Sequence, residues 1–268
     1  MPTAAQARRL FERSLVAGLG STDLATSVGY NLRAVRLTAS NVRERLSLEH
    51  WNLIVCSEEE LTQACQQMAQ SGDLSPLEAQ RILKVASDHL AAITGAQNDR
   101  MARDDGWRLL SIGRQIERLG FLSQSLLSGF NTGSVFSDGG FDAMIALFDS
   151  TTAFHTQYQQ SNDMAALADM LVLDRDNPRS LGWVAQTLRG RLAKLAGSAP
   201  HELGELSYRV PDPATWSLDL LCATDANGSY TALCNLLTDC ALAAFNLSDD
   251  VSQLYFTHSD DARRTLGA

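Results

Sequence analysis

The chain has 268 residues, 45% hydrophobic and 20% charged, with a formal net charge of -9. That length holds one large domain or two small ones with ample core. The acidic balance argues against nucleic acid and anionic membranes as main partners, since both need clustered Lys and Arg. No apolar run reaches the ~20 residues of a membrane span. The opening MPTAAQARRLFERSL lacks the apolar core of a signal peptide, so the expected location is the cytoplasm. The cysteines (Cys56, Cys65, Cys222, Cys234, Cys240) form no CxxC pair and read as reduced, buried small hydrophobes.

Strand signals are almost absent and helical periodicity is nearly continuous, which predicts an all-α bundle of about eight to ten helices in one domain, 1–268. The first helix runs from about Ala4 to Ala17, and Ser21 or Thr22 is placed to cap the next. That second helix carries Val28, Leu32, Val35, Ala39, Val42 and Leu46 at three- and four-residue steps, a core stripe. Ser47 caps a third helix, and Ser57-Glu58-Glu59-Glu60 reads as a break or new start. Ser75-Pro76-Leu77-Glu78 opens a fourth helix reaching about Ala102.

The stretch DDGWRLLSIGRQIERLGFLSQSLLSGF, from Asp104 to Phe130, reads as one long helix. At ~100° per residue, Leu109, Ile112, Ile116, Leu119 and Leu126 form the core face. Trp107, Leu110, Arg114, Glu117 and Phe121 lie opposite, with Arg118 at the edge. A solvated face rarely carries Trp, Leu and Phe in register, so Arg114 and Glu117 are expected among apolar neighbours, paired or lining a cleft. Gly129–Gly140 is turn-rich. Helices follow over Phe141 to about Tyr158, Asp163 to Leu173, and from Ser180 through Leu195. Residues 197–213 read as irregular, and a last long helix carries Tyr230 through Leu254.

Ser27-Val28-Gly29-Tyr30 matches Ser180-Leu181-Gly182-Trp183 at an offset of 153 residues, each opening a helix that ends in basic residues. This is a weak internal duplication. The central helix precedes the second copy, and its counterpart would lie before residue 1, so the chain is expected to begin partway through a duplicated unit of a longer protein.

Standard chemistry motifs are missing. None of the five histidines has Glu three residues before it, as a di-iron bundle requires, and no metal site is expected. There is no GxGxxG, P-loop or GxSxG. His201 and Cys222 are joined by no motif. Two charge clusters remain: Arg43-Glu44-Arg45, and Arg114, Glu117 and Arg118, with Asp104, Asp105, Arg108, Asn177 and Arg179 as neighbours. One reading makes them interhelical salt bridges. The other makes them a cleft whose arginines hold a carboxylate or phosphate, with Glu117 or Glu44 as acid, base or amine binder. For Asp104 and Asp105, capping is the simpler role.

VRERLSLEHW, RDDGWRLLSIGRQIERLGFLSQSLL, DRDNPRSLGWV and SDDVSQLYF together resemble the bacterial alpha-E domain family, an all-helical domain named for a Glu-Arg pair, here Glu117-Arg118. The resemblance covers nearly the whole chain. It departs at the N-terminus, where the family's first Glu-Arg helix is not found; Glu12-Arg13 is a poor substitute. The resemblance implies work beside, or fused to, a circularly permuted ATP-grasp protein and transglutaminase-like proteins, in making or processing an amide-linked product. The nucleotide and metal residues of the ATP-grasp fold are not in this chain, so no cofactor is expected. Three expectations follow: an accessory or substrate-presenting module, an enzyme of amide chemistry using Glu117 or Glu44, or a purely structural interaction domain.

Overall fold

The computed structural model describes residues 3–72, 74–158, 163–197 and 204–256. The protein is all-α, and no strand occurs among these residues. It divides into two compact units, Met1–Ala102 and Arg103–Ala268.

The first unit holds α1 (Ala4–Gly18), α2 (Val28–Ser40), α3 (Leu48–Ser71) and α4 (Pro76–Arg100). A capping box starts α1, in which Thr3 and Gln6 exchange side-chain-to-backbone hydrogen bonds. Ser47 and Ser75 cap α3 and α4 as expected. Packing of α3 against α2 and α4 buries Leu32, Leu61, Met68, Ile82 and Ala86, with a smaller cluster of Ala39, Ile54 and Ile93. Two expectations fail here. The second helix stops at Ser40 and gives way to a 3-10 turn at Arg43–Arg45. Its stripe is incomplete, because Val35 and Val42 are 38% and 40% exposed, so too little burial remains to carry the helix on. Conversely, α3 runs unbroken through Ser57, which lies on its buried face rather than at a start.

The second unit holds α5 (Asp105–Asn131), α6 (Asp138–Leu147), α7 (Thr151–Tyr158), α8 (Met164–Ala168), α9 (Leu181–Leu195), α10 (Glu205–Tyr208), α11 (Leu218–Cys222) and α12 (Thr231–Tyr255). The long helix α5 packs along both α12 and α9. Its Ile112, Ile116, Leu119 and Leu126 join Leu181, Leu188, Leu233, Leu237 and Leu247 in one core. Where one helix was expected over Phe141–Tyr158, Asp149 at φ +50 separates α6 from α7. The turn lets Phe141 and Phe154 meet edge to face at 5.6 Å, and Asp tolerates this left-handed conformation better than most residues. After α8 the chain makes a π turn over Asp169–Leu173. Twelve α-helices therefore occur among the described residues, more than the eight to ten expected. The split at Asp149 and the short α10 and α11, in stretches with little periodic signal, account for the excess.

The two Ser-x-Gly-aromatic segments fold alike. Ser21 Oγ accepts the N–H groups of Asp23 and Leu24; 153 residues on, Asp174 Oδ1 accepts those of Asp176 and Asn177. Ser27 Oγ donates to Ser21 O and accepts from Tyr30 N–H; Ser180 Oγ donates to Asp174 O and accepts from Trp183 N–H. Thus Ser27 caps α2, not Ser21 or Thr22 as expected, and Ser21 builds the turn before it. Glycine is required in both. A Cβ on Gly29 would stand 2.6 Å from Gly20 O, and one on Gly182 would stand 2.9 Å from Leu173 O.

Candidate functional site: an arginine–tryptophan seam

Asp104 starts α5 by accepting Trp107 N–H at 3.0 Å. From that cap, Trp107, Ser111, Arg114 and Arg118 follow at steps of four, three and four residues and share one face of the helix. On α9, Trp183 and Arg191 lie two turns apart on one face. The helices run antiparallel, because the start of α5 meets the end of α9. The Arg191 guanidinium lies 5.9 Å from the Trp107 ring centre and donates to Ser111 O at 3.2 Å. At the other end, the Arg118 guanidinium lies 5.8 Å from the Trp183 ring and donates to Pro178 O at 2.5 Å. Arg103 covers Trp107 at 4.0 Å. The result is a seam with an Arg/Trp pair at each end and Arg114 between.

Like charges crowd this seam. Burial lowers the pKa of Arg114. Burial first, then Arg179, Arg114 and Arg191, lowers that of Arg118. Burial, then Arg114 and Arg103, lowers that of Arg191. All remain cationic, since arginine does not deprotonate in proteins. Among the described residues, neither Arg118 nor Arg191 pairs with a carboxylate. The contrast with Arg189, two residues away, is sharp. Its buried guanidinium donates to Val210 O at 2.6 Å and to Asp212 Oδ2 at 3.0 Å.

Of the residues singled out in the sequence, Arg114, Arg118 and Arg179 come together, with Arg179 held by Asp149 at 2.5 Å. Asp105 pairs with Arg108 at 2.5 Å. Asn177 is part of the turn: its Nδ2 donates to Met170 O and its Oδ1 accepts Arg179 N–H. Glu117 is exposed, as is Phe121, which corrects the expectation of a glutamate among apolar neighbours. It sits one step past the stripe, and the aromatic wall of the seam is built by Trp107 and Trp183 instead. Arg43, Glu44 and Arg45 belong to the first unit, where Arg43 donates to Leu46 O and lies 5.3 Å from the Trp51 ring. Sequence reasoning missed Arg191, Arg103 and Trp183. The available signal was that each of the two helices carries a Trp followed by an Arg, so that antiparallel packing sets each Arg against the other helix's Trp.

Of the five cysteines expected to be buried, Cys240 is buried, Cys65, Cys222 and Cys234 are half-buried and Cys56 is exposed. Burial pushes the thiols of Cys65, Cys222 and Cys234 up, and that of Cys240 up to about 12, which keeps them protonated. His201 lies outside the described residues. Among the described residues no helix is long and apolar enough to cross a membrane.

The comparisons assign the family. The model of Alpha-E, "a predicted alpha-helical domain with a conserved ER motif", matches residues 2–256. The chain belongs to the Alpha-E family. Two relatives of this Alpha-E chain are "Uncharacterized protein Rv2567" of Mycobacterium tuberculosis and "Uncharacterized protein Mb2597" of Mycobacterium bovis. Each is 26% identical over 184 residues, covering 66% of this chain and 20% of the relative. The Alpha-E chain therefore matches about a fifth of the length of these curated relatives. No solved structure matches it.

Proposed function

We propose that the chain is a non-catalytic helical accessory module that holds an anionic substrate or peptide end for an amide-forming ligase of the circularly permuted ATP-grasp type. Transglutaminase-like proteins are its further partners, and it works in the cytoplasm. The partners come from the family resemblance. The carrying observation for anion binding is the seam itself, where Arg114, Arg118 and Arg191 repel one another and, among the described residues, Arg118 and Arg191 pair with no carboxylate. An incoming anion relieves that repulsion through charge-assisted hydrogen bonds.

A structural reading has one observation in its favour: Arg118 and Arg191 each stitch to a backbone carbonyl. The test separates them. The ATP-grasp protein of the same genome is captured by wild type, Arg118→Gln and Glu117→Gln chains, and amide synthesis is assayed in each mixture. All three chains are expected to associate, and synthesis is expected to fall about tenfold for Arg118→Gln only. Equal synthesis by all three would leave the seam as helix glue, and absence of capture would remove the partner reading.

A further inference from the structure

We propose that a groove between α3 and α4 of the first unit binds a short uncharged peptide segment through its backbone amides, with Ser57 and His89 as the recognising residues. The site is independent of the seam and goes beyond the proposed function. The groove has a volume of about 710 Å³, within the range of ligand sites. Two of the residues lining it carry a buried polar atom without a hydrogen-bond partner, Ser57 Oγ and His89 Nδ1. Ser57 is 1% exposed. A buried polar atom left unpaired costs stability, and α3 runs unbroken past Ser57, where an alanine would serve the helix better.

The two atoms belong to one end of the groove. Glu60 Oε2 lies 3.6 Å from His89 Nε2, and Ser57 stands one turn before Glu60 on the same face of α3. With the carboxylate on the Nε2 side, the neutral ring carries its proton on Nε2 and offers Nδ1 as an acceptor. The Ser57 hydroxyl is a donor as well as an acceptor. A peptide backbone complements this pair: an N–H donates to His89 Nδ1, and a carbonyl accepts from Ser57 Oγ. Charge is not what the groove reads. Arg81 pairs with Glu78 at 3.2 Å and Lys84 with Asp88 at 2.5 Å, while Gln63, Gln67 and Gln80 line the walls with uncharged amides. Leu77 and Val85, both exposed, add an apolar strip on α4. From Leu77 to His89 that helix rises ~18 Å, room for about five extended residues.

The experiment is calorimetric titration of the full chain with four probes. They are N-acetyl-tetraalanine amide, the same peptide with free termini, its depsipeptide analogue with esters in place of internal amides, and N-methylacetamide. The variants are Ser57→Ala, His89→Phe and, as a control in the second unit, Glu117→Gln, with thermal melts to confirm that each folds. The blocked peptide is expected to bind one per chain, at least tenfold tighter than the depsipeptide or N-methylacetamide and no weaker than the free-ended form. Ser57→Ala and His89→Phe should each weaken it at least fivefold, with Glu117→Gln unchanged. Without ligand, Ser57→Ala should melt no lower than wild type, because it removes an atom that has no partner. The depsipeptide arm needs no variant, so it decides even where one fails to fold: esters binding as tightly as amides overturn the inference. N-methylacetamide binding as tightly as the peptide, or a preference for charged ends, overturns the peptide reading. No binding of the blocked peptide, or binding that neither groove variant weakens, overturns the site and leaves Ser57 and His89 to water. Anion binding at the seam is unaffected by any of these results.

Discussion

The turn that opens α2 and the turn that opens α9 are built alike, from the Ser21/Asp174 turn to the Ser27/Ser180 cap. The helices behind them diverge. At the 153-residue offset, Arg36 in α2 corresponds to Arg189 in α9, and both are neutralised: Arg36 by Glu58 and Glu59, Arg189 by Asp212. Two residues on, Thr38 corresponds to Arg191. Tyr30, at the cap, corresponds to Trp183. The shared frame thus needs one paired arginine per helix. Arg191 and the tryptophan that faces Arg118 have no counterpart in α2, and among the described residues Arg191 has no carboxylate partner. Structural charge and candidate binding charge are separated within two residues of one helix.

The largest expected effect tests the structural side of this contrast. Arg189→Ala strips the donor from the buried Val210 carbonyl and from Asp212 and should cost about 3 kcal/mol in a urea melt. Arg36→Ala removes pairs on a side chain that is 35% exposed and should cost below about 1 kcal/mol. Equal costs would mean that the two arginines do not differ as their burial implies.

The middle effect concerns the shared turns. Ser27→Ala and Ser180→Ala each delete an N-cap, at about 1 kcal/mol for Ser27 and about 2 kcal/mol for Ser180, because Ser180 is fully buried whereas Ser27 is 8% exposed. A cost near zero at either would dissolve the equivalence of the two caps. The smallest is Glu117→Gln. Exposed and outside the seam, it should change stability by less than about 0.5 kcal/mol and leave anion titrations unaltered. A large loss of binding there would return the glutamate to the site.

Much of the fold was legible because its signals are local. The serine caps at Ser47, Ser75 and Ser180, the acid cap at Asp104, and the stripes of α5 and α12 each lie within one or two helical turns. The end of α2 was not legible, since Val35 and Val42 are apolar yet exposed, and periodicity alone does not report what covers a face. Ser57-Glu58-Glu59-Glu60 misled for the converse reason: a capping pattern is inert when its serine lies on the buried face of a continuing helix. The candidate site was half legible. Arg114 and Arg118 stood out on one helix with Trp107. Arg191 and Trp183 needed the antiparallel pairing of α5 with α9, a contact between residues about 80 apart in the chain, as in the Arg191–Ser111 bond. Glu117 was overvalued because Leu110 and Phe121 in register with it read as a covered face, whereas Phe121 is 52% exposed.

The central claim is that the arginines of the α5/α9 seam hold an anion while Arg36 and Arg189 are spent on structure. The most direct measurement is the NMR signal of each arginine Nε–H during a phosphate titration at constant ionic strength. The account predicts that Arg114, Arg118 and Arg191 shift together along one saturating curve, with Arg36 and Arg189 unmoved. Shifts spread evenly over all five, or none at the three seam residues, would contradict it.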